Sequence, residues 1–163
     1  MRSIDEWFDA YAADHRNETN RLIHWICVPA ILWAVIAALW TVPVSPSLGR
    51  PGLWCALVMV GVLTFYWRLS RRMGIAMLVV LVALGLGTDI LHRMLGSRTL
   101  LGLALGVFVL AWIGQFIGHA IEGRRPSFFT DLVYLLIGPA WLTGKVMRRL
   151  GIAVGAGARP GRG

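Results

Sequence analysis

The sequence predicts an all-α integral membrane protein: four transmembrane helices, an amphipathic helix ahead of them and a broken re-entrant or interfacial helix behind. Three observations carry that prediction. The 163 residues are 57% apolar and only 15% charged, where a soluble domain carries about 45–50% apolar and about 25% charged residues. Apolar runs at about 22–42, 52–69, 73–91 and 100–120 each approach the roughly 20 residues that cross ~30 Å of hydrocarbon. The net charge of +8 arrives in short Arg clusters between those runs, the pattern that orients membrane proteins. No basic helix or aromatic ladder is offered to a nucleic acid. Residues 1–150 read as one helical membrane domain and 151–163 as a flexible Gly- and Arg-rich tail.

Residues 3–13 put Ile4, Trp7, Phe8 and Tyr11 on one helical face and Asp5, Glu6 and Asp9 on the others. That is an amphipathic helix, lying at the interface or capping the bundle. Its acidic start carries no basic n-region, so it does not read as a signal peptide. Pro43, Pro46 and the cluster Gly49 to Gly52 end the first apolar run and make a turn. Arg68, Arg71 and Arg72 separate the second run from the third, and Arg93, Gly96, Ser97 and Arg98 separate the third from the fourth. In the segment 127–144, Asp131 and the pair Gly138–Pro139 interrupt the apolar pattern. Charge decides whether it crosses. With a cytoplasmic N-terminus and 127–144 not crossing, thirteen of the sixteen basic residues lie inside. If the segment crosses, the split is even and the orientation rule has nothing to act on.

Cys27 and Cys55 fall near the starts of successive antiparallel runs, too far apart in depth for a disulfide. Gly102 with Gly106, and Gly114 with Gly118, stand at GxxxG spacing and suit close helix approach, including a homo-oligomer contact. Trp25, Trp33, Trp40, Trp54, Trp67, Trp112 and Trp141 fall mostly near run ends and read as interface anchors.

The chemistry concentrates where this topology brings polar residues together. His15 and His24 lie where the first run begins, and Asn17, Asn20 and His24 stand at i, i+3 and i+7, one face of a helix. Gln115, His119 and Glu122 follow i, i+4, i+7 at the end of the fourth run, on the same membrane surface. A single interfacial His is ordinarily a solvated polar group. Three converging from distant parts of the chain read as a metal site. Imidazole suits iron, zinc, copper and nickel, and non-haem iron oxygenases keep positions open for oxygen and substrate. Asn17, Asn20 and Gln115 would orient those ligands. Arg124 and Arg125 serve orientation and can pair with the carboxylate of an amphiphilic substrate. His92 falls at the far end of the third run. Nucleophile-elbow, P-loop and HExxH signatures are absent from the sequence.

Two blocks of these residues resemble a known family. Tyr11, His15, Asn17, Asn20, Ile23, His24, Val28 and Pro29 match an opening signature, and Gln115 to His119 followed by Arg124–Arg125–Pro126 match a second. Asp131 to Pro139 follow in order. The pattern is similar to the Mpo-one-like family of membrane 2-hydroxy fatty acid dioxygenases. The resemblance implies an iron(II)-dependent enzyme that uses O2 to shorten 2-hydroxy fatty acids by one carbon, with His15, His24 and His119 as ligands. It implies the endoplasmic reticulum in a eukaryote, whereas the Ala-, Gly- and Arg-rich composition points to a bacterial inner membrane. The chain departs from the family at Glu122, which stands three residues after His119 rather than four, and at Lys145, where the family tends to have Glu. A non-enzymatic lipid-binding or assembly protein with interfacial histidines is the competing reading. A transporter ranks last, because the span middles carry few polar residues.

Overall fold

In the computed structural model, which describes residues 2–123 and 133–155, five helices and no strands are formed among the described residues. Helix α1 (Ile4–Ala13) opens on a capping box, Ser3 Oγ taking the Glu6 amide while the Glu6 carboxylate takes the Ser3 amide. The expected face, Ile4, Trp7, Phe8 and Tyr11, is buried. It packs on α5 (Tyr134–Arg149), where Trp7 meets Tyr134 edge-on at 5.3 Å. Helix α1 therefore caps the bundle.

Helix α2 (Glu18–Trp40) and helix α4 (Arg71–Glu122) are long and apolar enough to cross a membrane, and α3 (Leu53–Leu69) is a shorter apolar helix. Helix α4 holds both later apolar runs. It breaks at Gly96, whose φ of 74° with ψ of 165° is open only to a residue without Cβ. Contacts on both sides of the break show that α4 folds back on itself. Ile36 and Trp40 of α2 reach Leu81 and Gly85 in the first limb, running parallel to it. Asn20, Cys27 and Ala37 reach Gly118, Gly114 and Leu100 in the second limb, in the reverse order. The two limbs are thus antiparallel, with α2 between them.

Small residues set the closest of these contacts. A Cβ on Gly114 would lie 2.6 Å from Cys27 Sγ, and one on Gly118 would collide with Asn20 Oδ1. The second GxxxG pair therefore seats α2 inside the chain, while Gly102 and Gly106 face open space. Both cysteines are free and buried, as the depth argument expects.

Two expectations need correction. The C-terminal helix is not broken at Gly138–Pro139: α5 runs unbroken through Pro139 to Arg149. Pro139 lies past the first turn, so the helix gives up one backbone hydrogen bond there and still continues, and Gly138 stands where a Cβ would lie 3.1 Å from the Tyr11 hydroxyl. Residues 127–132 of that segment lie outside the described residues. The start of the tail, too, is anchored. Val154 is buried in the main core, its carbonyl accepting from Ser70 Oγ at 2.7 Å. Residues 156–163 lie outside the described residues.

Candidate metal centre and apolar cavity

His15 lies in the link between α1 and α2, His24 lies nearly two turns inside α2 and His119 lies in the last turn of α4. All three are buried, with 2%, 1% and 5% of their surface exposed. One nitrogen from each ring lies within 4.8 Å of the others. The long-range convergence expected from topology is therefore present.

Local hydrogen bonds fix the protons on two of the rings. His15 Nδ1 is 2.6 Å from the Tyr11 carbonyl and His24 Nδ1 is 2.9 Å from the Asn20 carbonyl, each one helical turn back. A carbonyl only accepts, so both Nδ1 atoms carry the proton and both Nε2 atoms present lone pairs. Those two Nε2 atoms face each other at 3.0 Å. Two buried lone pairs at that distance repel unless a cation lies between them. Burial holds His15 below the ordinary imidazole range, against the upward pull of the Tyr11 carbonyl, Asp14 and Glu122. A metal ion fits better than a shared proton. His119 adds a third ring whose buried Nδ1 has no hydrogen-bond partner among the described residues.

Glu122 is what holds His15 in place. Its carboxylate accepts from the Arg16 amide at 2.9 Å, the Asn17 amide at 2.9 Å and Asn20 Nδ2 at 3.0 Å. It thus clamps the link carrying His15 to the end of α4, at the N-terminus of α2, where the helix dipole favours an anion. Partial burial pushes its pKa up, but the bonds from Asn20, Asn17 and Arg16 outweigh that and leave it below the ordinary carboxylate value. Asn17 does not share the His24 face. It is the N-cap of α2, its side chain accepting from the Thr19 and Asn20 amides. Asn20 is fully buried and ties Glu122 to His24. Gln115 is buried beside the histidines. Arg124 and Arg125 lie outside the described residues. His92 bonds Ser97 at the Gly96 bend; from Ser97 to His119 the limb rises roughly 33 Å.

A cavity of about 360 Å³ opens from the three histidines. Its polar groups gather at one end, with Tyr11, Gln115 and the imidazoles. The rest is apolar: Val28, Ile31, Leu32, Val35, Ile36 and Leu39 form one stripe of α2, facing Cys55, Val58, Met59 and Val62 of α3. Phe108 and Trp112 continue the Gln115–His119 face. On the outer side of His15, a second cavity of about 340 Å³ is rimmed by Arg16, Arg21, Lys145 and Arg148. Lys145 lies 3.6 Å over the Trp141 ring, and burial, then Arg21, Arg149 and Arg148, lower its proton affinity.

A family model described as 2-hydroxy-palmitic acid dioxygenase Mpo1-like matches residues 1–150. The chain belongs to the Mpo1-like family. Among its relatives is a Saccharomyces cerevisiae protein named 2-hydroxy-palmitic acid dioxygenase MPO1. The two are 32% identical over 143 residues, covering 86% of this chain and 78% of the yeast protein. No solved structure matches the chain.

Within this Mpo1-like chain the sequence reading missed the aromatic part of the site. Trp112 lines the cavity and Trp141 is buried 5.9 Å from the His15 ring, so neither is an interface anchor. Tyr134 joins Tyr11 at the polar end. The signal for Phe108 and Trp112 was available, since they extend the i, i+4, i+7 series of Gln115 and His119 upstream. Tyr134 and Trp141 had no such signal.

Proposed function

We propose that this protein is a non-haem iron(II) dioxygenase that shortens 2-hydroxy fatty acids by one carbon at a membrane surface, with His15, His24 and His119 holding the metal. The observation that carries the reading is the pair of Nε2 lone pairs facing each other at 3.0 Å beside a third buried imidazole. The activity named for the family and for the yeast relative supports the substrate class. Iron bound there would supply the redox chemistry with O2 that breaks the C1–C2 bond.

The chain's own residues prepare that site. The Tyr11 and Asn20 carbonyls keep the protons of His15 and His24 on the outward nitrogens. Glu122 fixes the link that carries His15. Stacked at 4.1 Å on the His15 ring, Tyr11 closes the site from the α1 side. Its buried hydroxyl is pushed above the usual tyrosine range and so stays protonated, a donor for a substrate oxygen. The cavity shields the acyl chain from water, and the cationic rim beside His15 draws the carboxylate. Arg124 and Arg125 follow the His119 turn in sequence and, in this reading, pair with the substrate carboxylate.

The four apolar limbs (α2, α3 and both limbs of α4) cross the bilayer in this reading, with α1 and α5 on the cytoplasmic side of a bacterial inner membrane. The test is turnover by anaerobically purified protein reloaded with iron(II). A 2-hydroxy fatty acid and O2 should give the acid one carbon shorter, and His24→Ala should give none. Iron-loaded protein that leaves 2-hydroxy fatty acids untouched while O2 is present sinks the proposal.

A further inference from the structure

The cavity is polar at one end only, and its floor is closed. Deepest along α2 and α3 lie Leu39 and Cys55, and Leu81 of α4 meets them there. Cys55 is fully buried and Leu81 nearly so. Trp40 packs beneath this floor and Met59 lines the wall beside it, both reaching the backbone of Gly85. From His24 to Leu39 the helix rises roughly 22 Å, all of it along one uninterrupted apolar stripe. The space amounts to about 360 Å³. Such a space is too large for a short hydroxy acid to fill and ends before a very long chain would.

We propose that this cavity is a blind slot that measures a single unbranched acyl chain from the histidines downward, and that Cys55, Leu81 and Leu39 set its longest chain. The inference rests on the dioxygenase reading for the head-group chemistry, but the slot itself is a property of the fold. The slot has one weak wall. Val35 and Val58 line it and are also exposed on the outer surface, at 40% and 47%. A tail leaving between them would escape the measurement, and long chains would then be accepted without limit.

Two substitutions move the floor in opposite directions. Cys55→Phe raises it and Leu81→Ala lowers it. Each is read across a homologous series of saturated 2-hydroxy acids, both as kcat/KM and as displacement of an environment-sensitive fluorescent fatty acid from metal-free protein. Each buried methylene contributes roughly a factor of four, so a floor raised by two carbons should weaken the longest good substrate about fifteen-fold and leave shorter ones unchanged. Leu81→Ala should extend the optimum instead. Metal content should equal that of the wild type in both. An unchanged chain-length profile in both variants, or a wild type with no upper limit, overturns the slot while the dioxygenase reading stands. A displacement limit that moves as expected, in protein that turns over no hydroxy acid, confirms the slot and removes the dioxygenase reading.

Discussion

Glu122 separates two accounts of the site, because a carboxylate so near three imidazoles could be a metal ligand or a clamp. The structure makes it a clamp: its oxygens are occupied by the Arg16 and Asn17 amides and by Asn20. Glu122→Ala releases three hydrogen bonds. Bonds to a charged acceptor contribute about 1.5–3 kcal/mol each when shielded, but this carboxylate lies near the surface, where solvent reduces each to well under 1 kcal/mol. The expected total is about 2 kcal/mol. Because metal binds only when the link holds His15 in place, that figure appears as about a thirty-fold loss of metal affinity, within the range seen when residues supporting a ligand are removed. Thermal unfolding in detergent should fall by about 4–8 °C. Glu122→Gln keeps one acceptor oxygen and loses the charge, so it should fall between the two. Chelator competition with iron(II) and a melting curve measure both effects. Wild-type affinity and melting in Glu122→Ala would refute the clamp. So would a Glu122→Gln variant that loses metal entirely while melting normally, since that is how a ligand behaves.

Other consequences are as specific. Gly114→Ala should lower the melting temperature, because its Cβ would meet Cys27 Sγ at 2.6 Å and overpacking costs about 1–3 kcal/mol. Adding Cys27→Ala should restore most of that loss, and simple additivity of the two changes would contradict the contact. Metal affinity should be pH-dependent with a definite sign. His15 binds a proton less readily folded than unfolded, so its contribution is complete above the ordinary imidazole value of about 6.5 and is lost as pH falls below it. Metal should therefore leave on acidification, and a titration in which affinity rises toward acid would contradict this. Glu122, held below its usual value, keeps its contribution until pH falls through the carboxylate range. Clamping should then persist at pH values where metal has already left. Exchange rates of the Arg16 and Asn17 amides report it directly.

The sequence made the scaffold legible because apolar runs and the Ile4–Trp7–Phe8–Tyr11 spacing are strong local signals. His15, His24 and His119 were legible for a different reason. Once the apolar runs fix which segment ends share a surface, polar residues at those ends must meet. What failed was information that only packing supplies. Helices α2, α3 and α4 are apolar nearly all round, so no moment says which face meets a neighbour and which meets lipid. Trp112 and Trp141 were misplaced for that reason. Gly138–Pro139 looked like a break because glycine and proline usually punctuate chains, yet α5 continues through Pro139 and Gly138 serves a close approach to Tyr11. Asn17 read as part of a helical face and is instead the cap that begins the helix. The role of Glu122 depends on amides more than a hundred positions away in the chain, which no local spacing reveals.

The central claim is that three buried imidazoles grip one ion, and the metal-to-protein ratio of anaerobically purified protein tests it most directly. The account predicts close to one iron per chain in the wild type and almost none in His15→Ala, His24→Ala or His119→Ala, each still folded by circular dichroism. Metal retained at the wild-type ratio when all three histidines are replaced would contradict it.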